Sequence, residues 1–163
     1  MNKLYIGRVV GTHGIKGEIK VFSDNEAKDR SFIPGNILYF GDSDQEYKIE
    51  SVRIHKGNYL VLLEGFYNIN DVLFLNKNKV YINREDVLKA DEYVLDDLIG
   101  FKVINNEEEI GEITDYQYNG SYATFLVEGK RKIYLPNVPD FVVNIDLNAK
   151  KVYTKNVGEL MLW

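Results

Sequence analysis

Cysteine is absent from this chain of 163 residues. That excludes disulfides, thiolate metal sites and a cysteine nucleophile together. Histidine occurs only twice, at His13 and His55. Two imidazoles with no carboxylate or second ligand at a recognisable spacing make a poor zinc site, so no metal is expected. No Gly-x-Ser-x-Gly elbow, His-Glu-x-x-His or Walker sequence occurs, so those motif-borne chemistries lack their carriers. Long apolar runs are missing too. The longest, Tyr59-Leu60-Val61-Leu62-Leu63, falls far short of the ~20 residues a membrane helix needs. The start, Met1 to Gly7, has no long apolar stretch and no small-residue cleavage site, so no signal peptide is expected. These absences suggest a cytoplasmic protein with no catalytic residue and no cofactor, working by binding; a monomer is expected.

What is present is β-forming. Hydrophobic residues make up 45% and charged residues 28%, a globular balance. Twelve Tyr and eight Phe favour strands over helices. The net charge of −5 is unevenly spread. Residues 1–88 hold 12 basic and 12 acidic side chains, whereas residues 89–163 hold 8 and 13. The second half therefore suits a basic or aromatic protein surface better than a nucleic-acid backbone.

Alternation and turn signals predict strands at Leu4–Val10, Glu18–Phe22, Ile37–Phe40, Gln45–Lys56, Tyr59–Glu64 and Lys79–Asn83. In Gln45–Lys56, Tyr47 and Ile49 are in one phase while Val52 and Ile54 are in the other. That skip predicts a β-bulge near Glu50-Ser51. Tyr59–Glu64 shows no alternation and should be buried on both faces. Asn68 can cap a short helix from Ile69 to about Leu75. Arg84–Glu92 is polar and lacks alternation, so the expected division is a domain over 1–84, a linker over 85–92 and a domain over 93–163. Strands resume at Gly100–Asn105, Ile110–Tyr118, Tyr122–Glu128, Lys132–Leu135, Val142–Leu147 and Lys151–Lys155. Asn119-Gly120 is the strongest hairpin signal among their turns. The fold class is all-β, two small barrels with short helical segments.

Three segments stand out. In the first, Gly7, Gly11, Gly14 and Gly17 punctuate a stretch with Arg8, His13 and Lys16, followed by Lys20. Glycine permits close backbone approach, so a partner could sit tightly on a basic loop here. The same glycines also suit a hairpin that only turns the chain. The loop leads into a strand, so no helix N-terminus helps hold an anion. The second segment, Glu92 to Gly100, holds Tyr93, Val94, Leu95, Asp97 and Leu98. Its apolar residues suit the entry to a second core. Asp96-Asp97 reads as a cap or ion-pair partner rather than an acid/base couple. The third segment, Tyr134 to Asp146, holds Pro136 and Pro139, two of the three prolines. They predict an extended, stiff loop that either presents Phe141 as an interaction surface or tucks it inward.

In this order and spacing the segments resemble the RimM family of bacterial ribosome maturation factors, across essentially the whole chain. Gly7, Gly11, Gly14, Gly17 and Glu18 match the family's opening. Glu92, Tyr93, Asp97, Leu98 and Gly100 match its Glu-Tyr-Tyr-Trp-x-Asp-Leu-x-Gly. Pro136, Val138, Phe141, Val142 and Asp146 match its Ile-Pro-x-Val-x-x-Phe-Val-x-x-Val-Asp. The tail from Gly158 to Leu162 is loosely similar. The resemblance implies a six-stranded, translation-factor-like barrel followed by a PRC-type barrel. It implies docking to small-subunit ribosomal protein S19 (uS19) on the immature 30S subunit, with head assembly and 16S rRNA processing. Ribosomal RNA or ribosome contact would then fall to Arg8, His13, Lys16 and Lys20, and protein docking to Tyr93, Asp97, Pro136, Pro139 and Phe141. Many members carry Tyr-Tyr-Trp where this chain has Tyr93-Val94-Leu95. Either that contact is weaker here, or those positions are packing that aliphatic residues can fill. A PRC-barrel adaptor outside the ribosome is the alternative, though it leaves the Gly7–Glu18 match unexplained.

Overall fold

Alternating apolar residues on short strands need a closed surface to bury them, and the first half of the chain supplies one. The structure is a computed structural model that describes residues 2–160. Met161 and Leu162, part of the family-like tail, lie outside the described residues. The chain divides into two units, the first ending at Glu92 and the second beginning at Tyr93. The strands of the first are β1 (Lys3–His13), β2 (Glu18–Phe22), β3 (Ile37–Phe40), β4 (Tyr47–His55), β5 (Asn58–Leu63) and β6 (Lys79–Asn83). Three single helical turns accompany them, α1 (Lys28–Ser31), α2 (Ile69–Val72) and α3 (Arg84–Val87). The strands form a closed barrel in the order β1-β2-β5-β4-β3-β6, with β6 returning to β1. Ile6, Ile19, Leu38, Ile49, Leu63 and Ile82 are among its fully buried side chains.

The bulge expected near Glu50-Ser51 is present, as a register shift between Ile49 and Ser51. Tyr59, Leu60, Val61 and Leu63 of β5 are all buried, as an unalternating strand requires. Asn68 caps α2, its side chain accepting from Asn70 N at 2.9 Å. A 3-10 turn, Leu73–Leu75, continues that helix.

Three features differ from expectation. First, β1 runs to His13 instead of ending near Val10. A register shift between Val9 and Gly11 lets Gly11, Thr12 and His13 pair with Lys20, Ile19 and Glu18. The extra residue of a bulge restores pairing beyond an apparent break in the pattern. Second, α1 has no periodic signal because it is a single turn. Asn25 Oδ1 starts it by accepting from Ala27 N at 2.8 Å. Third, the segment expected as a linker carries structure. It begins within α3, where Asn83 Oδ1 accepts from Glu85 N. Arg30 Nη1 donates to Val87 O at 3.0 Å and to both Glu92 carboxylate oxygens at 2.9 Å, which ties 87–92 to the first unit.

The second unit holds β7 (Lys102–Asn105), β8 (Glu108–Tyr118), β9 (Ala123–Glu128), β10 (Lys132–Pro136), β11 (Val142–Asp146) and β12 (Lys151–Thr154). Their order is β10-β9-β8-β7-β12-β11, with β7 and β12 parallel. β10 and β11 end that order at opposite sides, yet residues 137–141 alone join them. So short a connection forces the sheet to curl until its ends approach at that corner. Leu98, Val103, Ile113, Phe125, Leu135 and Val152 lie at its core. Asn119 Oδ1 accepts from Ser121 N and Tyr122 N at 2.9 and 3.0 Å, which shapes the predicted hairpin. No helix among the described residues is long and apolar enough to cross a membrane.

Candidate functional site

The glycine-punctuated segment is half strand and half turn. The turn itself is Gly14–Gly17, and Ile69 N donates to Ile15 O at 2.9 Å to hold it against the entry of α2. Gly17 has φ of +98°, and a Cβ there would sit 2.2 Å from Phe66 O. A Cβ at Gly7 would sit 2.5 Å from Phe22 O. Both glycines are therefore required by the chain's own packing. Gly11 and Gly14 face open space.

The residues singled out for RNA or ribosome contact do not all fall at one place. Arg8 points outward from the middle of β1, with Phe22 and Lys79 as its cross-strand partners. His13 and Lys20 meet residues that sequence reasoning did not connect with them. The His13 and His55 rings lie 5.0 Å apart, although 42 positions separate them in sequence. Glu18, the cross-strand partner of His13, is gripped by Arg53 through two hydrogen bonds of 2.9 and 3.0 Å. Those bonds hold the Glu18 carboxyl below its ordinary value, with the charges of Arg53, His13 and Lys16 acting the same way. Partial burial pushes His55 down first, followed by the positive charges of His13, Lys56, Lys20 and Arg53. The result is a polar cluster of two imidazoles, the Arg53–Glu18 pair, Lys20 and Lys56, drawn from β1, β2, β4 and the β4–β5 turn. The sequence signal for its missing half was His55-Lys56 at a strand end, visible but unattached to anything else. Lys16, on the turn, is exposed.

In the second unit the proposed docking residues are mostly structural in their contacts. Asp97 Oδ2 accepts from Val94 N at 2.9 Å, the cap expected of one member of the Asp96-Asp97 pair. Asp96 accepts from Tyr116 Oη at 2.7 Å. Val94 is only 2% exposed, and Tyr93 and Leu95 pack against the core. Val94 and Leu95 are thus packing residues, and aliphatic side chains fill those positions. Gly100 has φ of +92°, which turns the chain into β7. Pro136 ends β10, and the loop after it is not extended. Phe141 N and Val142 N both donate to Val138 O, at 3.0 and 2.9 Å. Pro139 sits at the second position of that turn, where its fixed φ is equally at home. Phe141 is half-buried against the core, while Pro139 is exposed.

Sequence reasoning missed a separate feature of this unit. An open groove of 680 Å³ lies along β8 and the β9–β10 turn, lined by Glu108, Glu109, Glu112 and Glu128 together with Lys130 and Arg131. Gly111 and Gly129 also line it, where the β8 backbone and the end of β9 pass close together. A Cβ at Gly129 would lie 2.2 Å from Ile110 O, and one at Gly111 would lie 2.7 Å from Glu128 O. Its sequence signals were two turns, one with the run Glu107-Glu108-Glu109 and one at Glu128-Gly129-Lys130.

Known proteins share both units. Residues 4–87 match the RimM N-terminal domain, and residues 95–160 match the RimM PRC barrel domain. Ribosome maturation factor RimM from Staphylococcus aureus strain bovine RF122 / ET3-1 is 35% identical over 156 residues, covering 92% of this chain and 93% of the relative. The protein of the same name from strain JH9 is 34% identical over the same shares. A crystal structure of a putative 16S ribosomal RNA processing protein RimM from Pseudomonas aeruginosa aligns with a TM-score of 0.48 at 22% identity, over 97% of this chain and 99% of that one. The solution structure of the N-terminal domain of RimM from Thermus thermophilus aligns with a TM-score of 0.47 at 18% identity, over 56% of this chain and all of that one. With both domains matched in order, this chain belongs to the RimM family.

Proposed function

We propose that this protein is a ribosome maturation factor that binds the immature 30S subunit in the cytoplasm. It docks on uS19 in the subunit head, and so assists head assembly and 16S rRNA processing without performing chemistry. The observation that carries this reading is the pair of RimM-type domains in one chain, shared along 92% of its length with relatives named ribosome maturation factor. In this reading the second unit, where the acidic excess lies, meets the basic ribosomal protein. Tyr93, Asp97, Pro136, Pro139 and Phe141 belong to that unit, and exposed Pro139 offers the most direct contact among them. Arg8, His13, Lys16 and Lys20 serve the RNA-facing side. Asp97, through the cap it makes at Val94 N, and half-buried Phe141 act by shaping the docking surface.

The test is co-sedimentation with small subunits from cells depleted of the protein. The expected outcome is enrichment with immature particles at low salt and release by added free uS19. Absence from that fraction, in cells that need the protein for growth, would remove the reading.

A further inference from the structure

The outer face of β6, β1 and β2 has a composition that neither the glycine motif nor the docking residues explain. Arg8 is the cross-strand partner of Phe22 on β2 and of Lys79 on β6. Partnered residues in an antiparallel pair point to the same side, so Lys79, Arg8 and Phe22 form a row outside the barrel. Lys20 lies two residues along β2 and shares that face. Tyr5 also points outward, with 42% exposure, and meets Tyr81 edge-on at 5.8 Å. Lys79 Nζ stands 5.9 Å from the Tyr5 ring centre. Three rings and three cations therefore share one face of three neighbouring strands.

Charge and exposure decide what such a face can bind. Along β1, β2 and β6 the sequence has one carboxylate, Glu18, and Arg53 already occupies it. Arg8, Lys20 and Lys79 make no ion pair among the described residues. Phe22 is 49% exposed and stacks on no other ring among the described residues. An open aromatic ring flanked by unpaired cations offers a stacking surface for a base and partners for the phosphates beside it. A duplex keeps its bases stacked internally and could not use the ring.

We propose that the outer face of β6-β1-β2 holds single-stranded RNA, with Phe22 stacking on an unpaired base and Arg8, Lys20 and Lys79 on the flanking phosphates. The choice of RNA rests on the ribosomal reading above. The site adds Phe22 and Lys79, neither of which the sequence motifs single out, and it gives Arg8 and Lys20 a shared ligand.

The experiment uses the full chain and a fluorescein-labelled ~12-nucleotide RNA of mixed sequence, single-stranded or annealed to its complement. Anisotropy should show tighter binding to the single strand. Phe22→Leu keeps the apolar bulk but removes the ring, and should weaken binding about tenfold while thermal unfolding stays unchanged. Arg8→Glu should weaken it and flatten its salt dependence. Equal affinity of Phe22→Leu and the unaltered chain, or a preference for the duplex, overturns the proposal. Should the leucine variant fail to fold, photo-cross-linking of the unaltered chain to thiouridine-containing RNA replaces it. Cross-links on the Phe22 peptide support the face, and cross-links confined to the second unit overturn it. A chain that co-sediments with immature subunits but ignores single-stranded RNA refutes this site and leaves the ribosomal reading standing. Ring-dependent RNA binding by a chain that does not co-sediment supports the site and removes that reading.

Discussion

At Gly17 two constraints coincide. The backbone is left-handed at +98°, and the Phe66 carbonyl oxygen lies 2.2 Å from where a side chain would begin. At Gly14 only the first applies, with φ of +66° and open space around it. Gly17→Ala should therefore cost about 1–3 kcal/mol from overpacking, in addition to its backbone strain. Gly14→Ala should cost only the left-handed penalty of about 1 kcal/mol. Urea denaturation of the two variants measures the difference. Equal costs would mean that the hairpin moves away from Phe66 without loss. Glycine at both positions was legible in the sequence, but the reason for each was not. Gly17 answers to a carbonyl 49 positions away, and no local pattern records such a contact.

At the scale of elements, Tyr59 joins β5 to the short α1. Its ring stacks on Phe32 at 4.6 Å, and its hydroxyl donates to Asp29. Burial, with the Asp29 hydrogen bond and charge adding to it, pushes the phenol up to about 12 from its ordinary 10. The native state thus holds the Tyr59 proton in a range where the unfolded chain has released it. Stability from this group is complete below pH 10 and is lost as the pH rises through about 12. Buried Tyr39 and Tyr47 are raised in the same direction and share this limb. Tyr59→Phe should make the loss of stability above pH 10 shallower without abolishing it. Urea midpoints across that range read the slope. An unchanged slope would assign the alkaline limb to the other groups raised in the same direction, Tyr39, Tyr47, Tyr67 and Lys102. The bulge in β4 and the Asn68 cap were legible because each leaves a mark within a few residues. Helix α1 was not, since one turn is too short to show a period.

At the scale of the whole molecule, the charge division is the property most relevant to partners. The half after residue 88 holds 13 acidic and 8 basic side chains, and the half before it holds 12 of each. If the second unit docks uS19, opposite charges should mainly speed the encounter. The association rate should fall about tenfold between low and high salt, while the dissociation rate changes little. Stopped-flow mixing of the full chain with purified uS19 measures both. A dissociation rate that carries the salt dependence would instead indicate buried charge pairs at the interface. The first unit, close to neutral, behaves differently because its cations are concentrated. Arg8, Lys20 and Lys79 lie on one face, while Arg53, paired with Glu18, and Lys56 stand beside the His13–His55 contact.

The sequence by itself determined the strands, the bulge, most turns, the absence of familiar catalytic motifs and the family. Each depends on residues close together along the chain, or on motifs whose order survives without coordinates. The tertiary structure alone decided which distant residues become neighbours. It set His13 against His55, aligned Lys79 with Arg8 and Phe22, and buried Val94 in a core where the family pattern suggested an aromatic contact. It also turned the proline loop back through Val138. The physical reason is strand order. β2 pairs with β5 and β6 returns to β1, so each face of the barrel is assembled from segments tens of residues apart. Alternation tells which side of a strand a residue occupies, but closure of the barrel decides what stands beside it.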